Sequence, residues 1–362
     1  MHKIFTPFEI NRLKLKNRFV RSATVDNMAE NGMVSDAQVE LYTNLGKGGI
    51  GLIISHGIFP TKSGQAAPGQ LGAHIDETIP SLTRLVKAVH NGGGKIAAQL
   101  LHGGQRSREE LSGYPPLGPS EIIDPNTGVS VKGLSGDEIY ELIDGYGQAA
   151  RRVIEAGFDG IQLHGAHGWL LSAFMSPVCN LREDEWGGSV ENRARFVTMI
   201  YEKIRDIVGP DFPILIKFGL KDYHPEGRSI AEGIETARIL ESTGFDAIEA
   251  SEGIENIQGH HIRQDALHPY YLDECREARK VLSLPIILVG GMRNLADMQA
   301  VIDEDIADAV SMCRPFINDP AIVQKFEQGI TDHTDCNSCN KCLGLMRQSK
   351  LGCVLVKDGS SG

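Results

Sequence analysis

Aromatic residues are scarce in this chain: Phe, Trp and Tyr make up 6% of 362 residues, and only two are tryptophan. Long apolar runs are missing as well. Stretches such as residues 50–59 fall far short of the roughly 20 apolar residues that a membrane-spanning helix needs, which excludes a helical membrane protein. Basic charge is in deficit, with 36 Lys and Arg against 47 Asp and Glu and a formal net charge of −11. Such a surface repels phosphate backbones and argues against nucleic acid as a partner. The opening residues, Met1-His2-Lys3-Ile4-Phe5-Thr6-Pro7, hold no signal-peptide apolar stretch, so a cytoplasmic location is expected. The remaining composition is that of a globular protein, at 41% hydrophobic and 23% charged, which excludes wholesale disorder. The length suits one large domain or two small ones. Glycine is in excess, 41 of 362 residues, or about 11% where roughly 7% is usual. Tight turns, or backbone approaching a ligand closely, account for such an excess.

Short β-branched runs alternate with longer amphipathic segments. Strands are expected at 19–22, 51–57, 95–102, 160–164, 213–219, 247–251, 285–290 and 309–314. Most are nearly continuous apolar runs, as parallel strands buried on both faces require. Helices are expected at 36–45, 79–91, 136–156, 191–207, 229–242, 270–282, 295–302 and 321–328, several followed by a glycine stop. Eight strand–helix units closing near residue 330 predict an α/β protein of the (β/α)8 TIM barrel type. The rival, an open doubly wound sheet, requires a glycine-rich dinucleotide turn after an early strand, and no G-x-G-x-x-G is expected anywhere in the chain. Three segments exceed the plain repeat, 103–133, 169–190 and 252–269, and all follow strands directly. In a barrel those loops form the catalytic face. Residues 1–330 are thus read as the barrel and 331–362 as a short cysteine-bearing extension.

The strongest local signal is Leu163-His164-Gly165-Ala166-His167-Gly168-Trp169-Leu170 at the end of the fourth strand. Neutral imidazoles three residues apart can both donate to one carbonyl or phenolate oxygen. A pair of structural histidines, or a metal pair lacking its further ligands, are the other readings. Lys217 stands inside an apolar strand and is costly there unless it meets an anion. Gly290-Gly291-Met292-Arg293 follows the seventh strand and Cys313-Arg314-Pro315 the eighth, where barrels commonly bind phosphate. Of seven cysteines, Cys336, Cys339, Cys342 and Cys353 crowd together. In a cytosolic chain such clustering suggests an iron–sulfur cluster or, second, zinc.

The run from His164 to Leu170, then Phe174-Met175-Ser176-Pro177, Asn180, Arg182 and Trp186-Gly187-Gly188-Ser189-Val190-Glu191-Asn192-Arg193-Ala194-Arg195-Phe196, resembles the old yellow enzyme family. The likeness extends from Phe5-Thr6-Pro7 to Arg314-Pro315. It implies an FMN-dependent barrel oxidoreductase that uses NAD(P)H. By that resemblance Gln99 meets the flavin pyrimidine edge and Lys217 faces flavin N1 and O2. Gly290, Gly291 and Arg314 take its phosphate, while Ala23, Thr24 and His56 border the ring. His164 and His167 hold an electron-poor substrate, an enone, enal or enoyl thioester. Trp169 stands where many relatives carry a proton-donating tyrosine; an indole N–H is too weak an acid for that task. The cysteines resemble those of the 2,4-dienoyl-CoA reductase and trimethylamine dehydrogenase branch, although relatives space them C-x2-C-x3-C-x11-C and two gaps here are one residue shorter. Two alternatives follow: a demethylase or dehydrogenase passing electrons through the cysteines, or a non-catalytic flavin electron carrier. A homo-oligomer or an electron-transfer protein is the macromolecular partner expected.

Overall fold

Alternation along each apolar run decides this architecture, because one set of side chains must face a barrel interior and the other the helices around it. The computed structural model describes residues 2–124, 128–254, 268–346, 348 and 351–356. Its parallel strands are β1 (Phe19–Arg21), β2 (Leu52–Ile54), β3 (Ile96–Leu100), β4 (Gly160–Gly165), β5 (Ile214–Gly219), β6 (Ala247–Ser251), β7 (Ile286–Val289) and β8 (Ala309–Met312). Each pairs with the next and β8 returns to β1, closing the barrel. Around it run α1 (Asp36–Lys47), α2 (Ile79–Asn91), α3 (Gly136–Glu155), α4 (Val190–Val208), α5 (Ile230–Thr243), α6 (Leu272–Arg279), α7 (Leu295–Asp303) and α8 (Ile322–Glu327). The fold is the expected (β/α)8 barrel. Serine capping boxes at Ser35/Gln38, Ser135/Glu138 and Ser229/Glu232 fix where α1, α3 and α5 begin. No helix among the described residues is long and apolar enough to cross a membrane.

The barrel interior is layered. Val20, Leu52, Ala97, Leu215, Ala247, Ile287 and Ala309 form an apolar lower layer. A hairpin of Phe8–Ile10 and Leu13–Leu15 packs Phe8, Ile10, Leu13 and Leu15 against it and so plugs the amino-terminal end. Two residues further along the strands, the same face carries Gln99, Gln162, Lys217, Glu249 and Ser311, all buried. The period of two thus places polar groups above an apolar plug.

Residues 46–51 do spell the G-x-G-x-x-G spacing, but they lead from the end of α1 into β2, the reverse of a dinucleotide turn. Their glycines permit close packing instead. A Cβ on Gly46 would lie 2.7 Å from the Val89 carbonyl oxygen, and one on Gly48 1.9 Å from that of Pro320.

The long loops acquire structure of their own. Segment 103–133 forms the short helix Glu109–Ser112 and a small sheet, in which Ser130–Gly133 pairs antiparallel with Ile122–Ile123 and parallel with Leu117–Gly118. Segment 169–190 begins with the helix Leu170–Met175. Most of segment 252–269 lies outside the described residues. Asp222, in the loop after β5, ties two of these loops to its own: its carboxylate accepts from Ser176 Oγ at 2.6 Å, Arg228 N at 2.8 Å and Ile254 N at 2.8 Å. The Arg228 guanidinium, fully buried, stands 3.6 Å from that carboxylate and 4.6 Å from the Phe218 ring centroid.

Removing this carboxylate leaves Arg228 as a buried, uncompensated cation. Asp222→Ala is therefore expected to cost ~3–5 kcal/mol in urea unfolding. A loss no larger than the ~0.5 kcal/mol of a surface substitution would show that Asp222 does not hold these loops.

Candidate active site

The floor of the site is a buried chain of polar side chains. Gln99 Nε2 donates to Gln162 Oε1 at 2.7 Å, and Gln162 Nε2 donates to Glu249 Oε2 at 2.9 Å. Glu249 Oε1 accepts from Ser311 Oγ at 2.8 Å and lies 3.2 Å from Lys217 Nζ, which also donates to Ser22 Oγ at 2.9 Å. Lys217 is therefore not the lone cation its strand suggests, because Glu249 supplies the anion from within the chain. Burial opposes ionisation of Glu249, but the Lys217 charge and hydrogen bonds from Ser22, Ser311 and Gln162 outweigh it and hold the carboxyl below the usual glutamate range.

Above this floor stand the two histidines. His164 ends the polar face of β4 and is buried, with no partner for Nδ1 among the described residues. Burial, reinforced by the charges of Lys217 and Arg106, holds its pKa well below the ordinary imidazole value, so the ring is neutral. His167 takes a left-handed backbone (φ 60°); its amide donates to the Glu252 carbonyl at 3.1 Å, and its Nε2 meets Ser251 Oγ at 2.7 Å. The two rings cross at 78° with centroids 5.2 Å apart. Trp169, half-buried, lies 6.3 Å from the His164 ring, and the Arg106 guanidinium sits 5.5 Å from the indole centroid. The structure thus brings His164, His167 and Trp169 together.

The other candidate residues fall around this group. Thr24 Oγ1 donates to the Ser22 carbonyl at 2.9 Å and approaches Cys313 Sγ at 3.1 Å, while Ala23 packs on the barrel interior. His56 has a structural partner: its Nδ1 is 3.1 Å from Asp26 Oδ1, and its amide donates to Tyr42 OH. Gly290, Gly291, Arg293 and Arg314 line one cleft with Cys336 and Ser338. Both glycines have left-handed φ, 97° and 76°, and a Cβ on Gly291 would meet the His268 carbonyl oxygen at 2.5 Å. Arg314 donates to Asn340 Oδ1 at 2.7 Å and Tyr270 OH at 2.9 Å, and Arg293 to Ser338 Oγ at 2.8 Å. Both arginines thereby grip the cysteine segment. Cys336, Cys339, Cys342 and Cys353 line a neighbouring cavity that shares Arg314 and Cys336 with the glycine cleft. Burial pushes the thiols of Cys336 and Cys342 up. Among the described residues no group of three or more His, Cys, Asp or Glu side chains is disposed to hold a metal ion.

This architecture recurs in solved oxidoreductases. An old yellow enzyme homologue from Zymomonas mobilis superposes with a TM-score of 0.80 at 27% identity, over 92% of this chain and 94% of that one. 2-Naphthoyl-CoA reductase, solved with 2-naphthoyl-CoA, superposes at 0.93 and 27% identity over 98% of this chain and 57% of its own. The class is accordingly that of the flavin oxidoreductase barrels. The NADH oxidase of Thermoanaerobacter brockii is 33% identical over 367 residues, covering 97% of this chain and 55% of that protein. The pattern of the NADH:flavin oxidoreductase / NADH oxidase family matches residues 3–333, and the chain belongs to that family. It spans about half the length of the first curated relatives it matches.

Sequence reasoning missed Gln162, Glu249, Ser251 and Arg106. Glu249 had a signal, since a lone carboxylate inside Ala247-Ile248-Glu249-Ala250-Ser251 is the complement of the lone lysine in the neighbouring strand. Arg106, in a glycine-rich loop, had none. Glu249→Leu is expected to lose ~3–5 kcal/mol by stranding Lys217, and Lys217→Met added to it should restore most of that. Because the folded pKa of Glu249 is depressed, its contribution is complete above ~4.3 and lost as pH falls below. Glu249→Gln should flatten that acid limb in urea unfolding; equal acid sensitivity in both proteins would place the stabilising carboxylate elsewhere.

Proposed function

We propose that the chain is a cytoplasmic, FMN-dependent oxidoreductase that moves hydride from NAD(P)H to the activated alkene of an enone, enal or enoyl thioester. Family membership and the acyl thioester named with the naphthoyl-CoA reductase structure support this reading. The observation that carries it is the crossed pair of His164 and His167, with His164 held neutral by burial and by nearby cations.

FMN, when bound, supplies two-electron chemistry at its ring. The chain's residues fit that group. Gln99 has spent one amide hydrogen on Gln162 and keeps its oxygen to accept from a pyrimidine edge. Lys217 offers positive charge below it, already balanced by Glu249, so the floor stays intact when charge develops above. Gly290 and Gly291, through their backbone amides, and Arg314 would take the phosphate. His164 and His167 then donate to the acceptor's carbonyl oxygen, withdraw electron density and make its β-carbon receptive to hydride. Trp169 narrows the pocket and presents a flat face, and the proton that completes the product comes from water or another group.

A second reading rests on the cysteines. Four thiols line one cavity, and four thiolates in one short segment suit an iron–sulfur cluster ahead of zinc. Cys336, Cys339, Cys342 and Cys353 would ligate it, and residues 331–362 would be the segment it organises. Such a group supplies one-electron exchange and is what a dehydrogenase passing electrons to a partner requires.

His164→Ala and His167→Ala should each retain FMN and lower enone reduction by ~10²–10³. Wild-type rates in both variants would remove the histidines from the chemistry. Protein purified without oxygen should contain iron and acid-labile sulfide, and Cys339→Ser should lose both and free residues 336–353 to proteolysis. Four titratable thiols with no iron in anaerobic protein would refute the cluster.

A further inference from the structure

Arg106 is a cation at the mouth of the barrel with no task in the reading above. It ends the turn Gly104–Arg106, which follows β3. That turn is seated by His102, whose Nδ1 accepts from the Gly104 amide at 3.0 Å and whose Nε2 meets Ser63 Oγ at 3.1 Å. Burial drives the His102 pKa to about 3, so the support stays neutral. The guanidinium lies over Trp169 at 5.5 Å and close against Gly168, where a Cβ would come within 3.2 Å of Nη2. Arg182, Arg193 and Arg228, also partly or fully buried, have carboxylate partners in Asp184, Glu232 and Asp222. Arg106 has no ion pair or side-chain hydrogen bond among the described residues.

A half-buried guanidinium without a counter-charge is partly desolvated and uncompensated, and its planar fork matches a carboxylate. Stacking on an indole leaves the in-plane N–H groups free to donate. The neighbouring His164 feels this charge, which places the cation within electrostatic range of the histidine pair. We infer that Arg106 is a specificity-determining residue that receives a carboxylate of the acceptor, so that the preferred substrates are conjugated alkenes bearing a free carboxylate rather than neutral enones. This rests on the reading that an alkene is reduced at this face. A carboxylate alone activates an alkene poorly, because its negative charge opposes hydride addition. Donation from the guanidinium to one oxygen and from neutral histidine to the other offsets that charge and restores electron withdrawal. The reaction balances: NAD(P)H gives up hydride, water supplies a proton, the C=C bond becomes C–C and the carboxylate is unchanged.

The test titrates FMN-loaded holoenzyme by calorimetry with trans-cinnamate and with methyl trans-cinnamate, followed by turnover of each with NADPH. Wild type should bind the acid ~10–100-fold more tightly than the ester, the range a charge-assisted hydrogen bond gives. Arg106→Gln should erase that preference while leaving ester affinity and FMN content unchanged, and Arg106→Lys, which keeps charge but loses the fork, should fall between. A preference for the acid that survives Arg106→Gln, or equal binding of acid and ester by wild type, would overturn the assignment. Acid binding that depends on Arg106 without reduction of either compound would leave the assignment standing and sink the alkene-reductase reading. Reduction of the ester with no preference for the acid would do the reverse.

Discussion

A buried ion pair between neighbouring strands sets the terms for everything above it. Lys217 on β5 and Glu249 on β6 face the same interior, 3.2 Å apart and almost wholly shielded from water. Neither charge is tolerable there alone. Together they need further donors and acceptors, which Ser22, Gln162 and Ser311 provide from the end of β1, from β4 and from β8. The network therefore reaches most of the way around the barrel, and the polar floor is rigid because no member can move without stranding another.

That rigidity passes upward through short connections. Gln99 leaves the network by its amide oxygen, and His164, two residues beyond Gln162 on the same face of β4, stands directly over it. His167 is turned toward its partner by a left-handed backbone and fastened to β6 through Ser251. The loops above are held by Asp222 and Arg228, a second buried pair that joins the ends of β4, β5 and β6. Two ion pairs, one in the floor and one behind the loops, thus keep the histidine pair in place.

Much of this was legible in the sequence. Eight apolar runs with helical segments between them admit one common closure, and the histidine motif stands at the end of the fourth. Boundaries drifted where strands are short, as at β2, expected over 51–57 and observed over Leu52–Ile54. Lys217 stood out as a charge in an apolar strand, but its partner did not, because pairing across strands depends on register and the sequence does not display register. His56 followed the same logic: its place at a strand end suggested the flavin, and the fold adds a partner the sequence did not display, Asp26, thirty residues earlier. The cysteine spacing pointed to a metal site, and only the fold shows that Arg293 and Arg314 hold that segment against the glycine cleft. Arg106 could not have been found, since nothing in Gly103-Gly104-Gln105-Arg106 reveals that its side chain reaches Trp169.

The central claim is that His164 and His167 would orient an alkene to receive hydride from FMN, which Gln99, Lys217, Gly290, Gly291 and Arg314 would hold. Anaerobic stopped-flow mixing of NADPH-reduced holoenzyme with a conjugated alkene tests it most directly, with flavin absorbance and product followed together. The expected result is reoxidation of the flavin with one saturated product formed per flavin, slowed in His164→Ala. Flavin that stays reduced in the presence of the alkene, yet reoxidises at once with a one-electron acceptor, would contradict it and favour electron transfer through the cysteines.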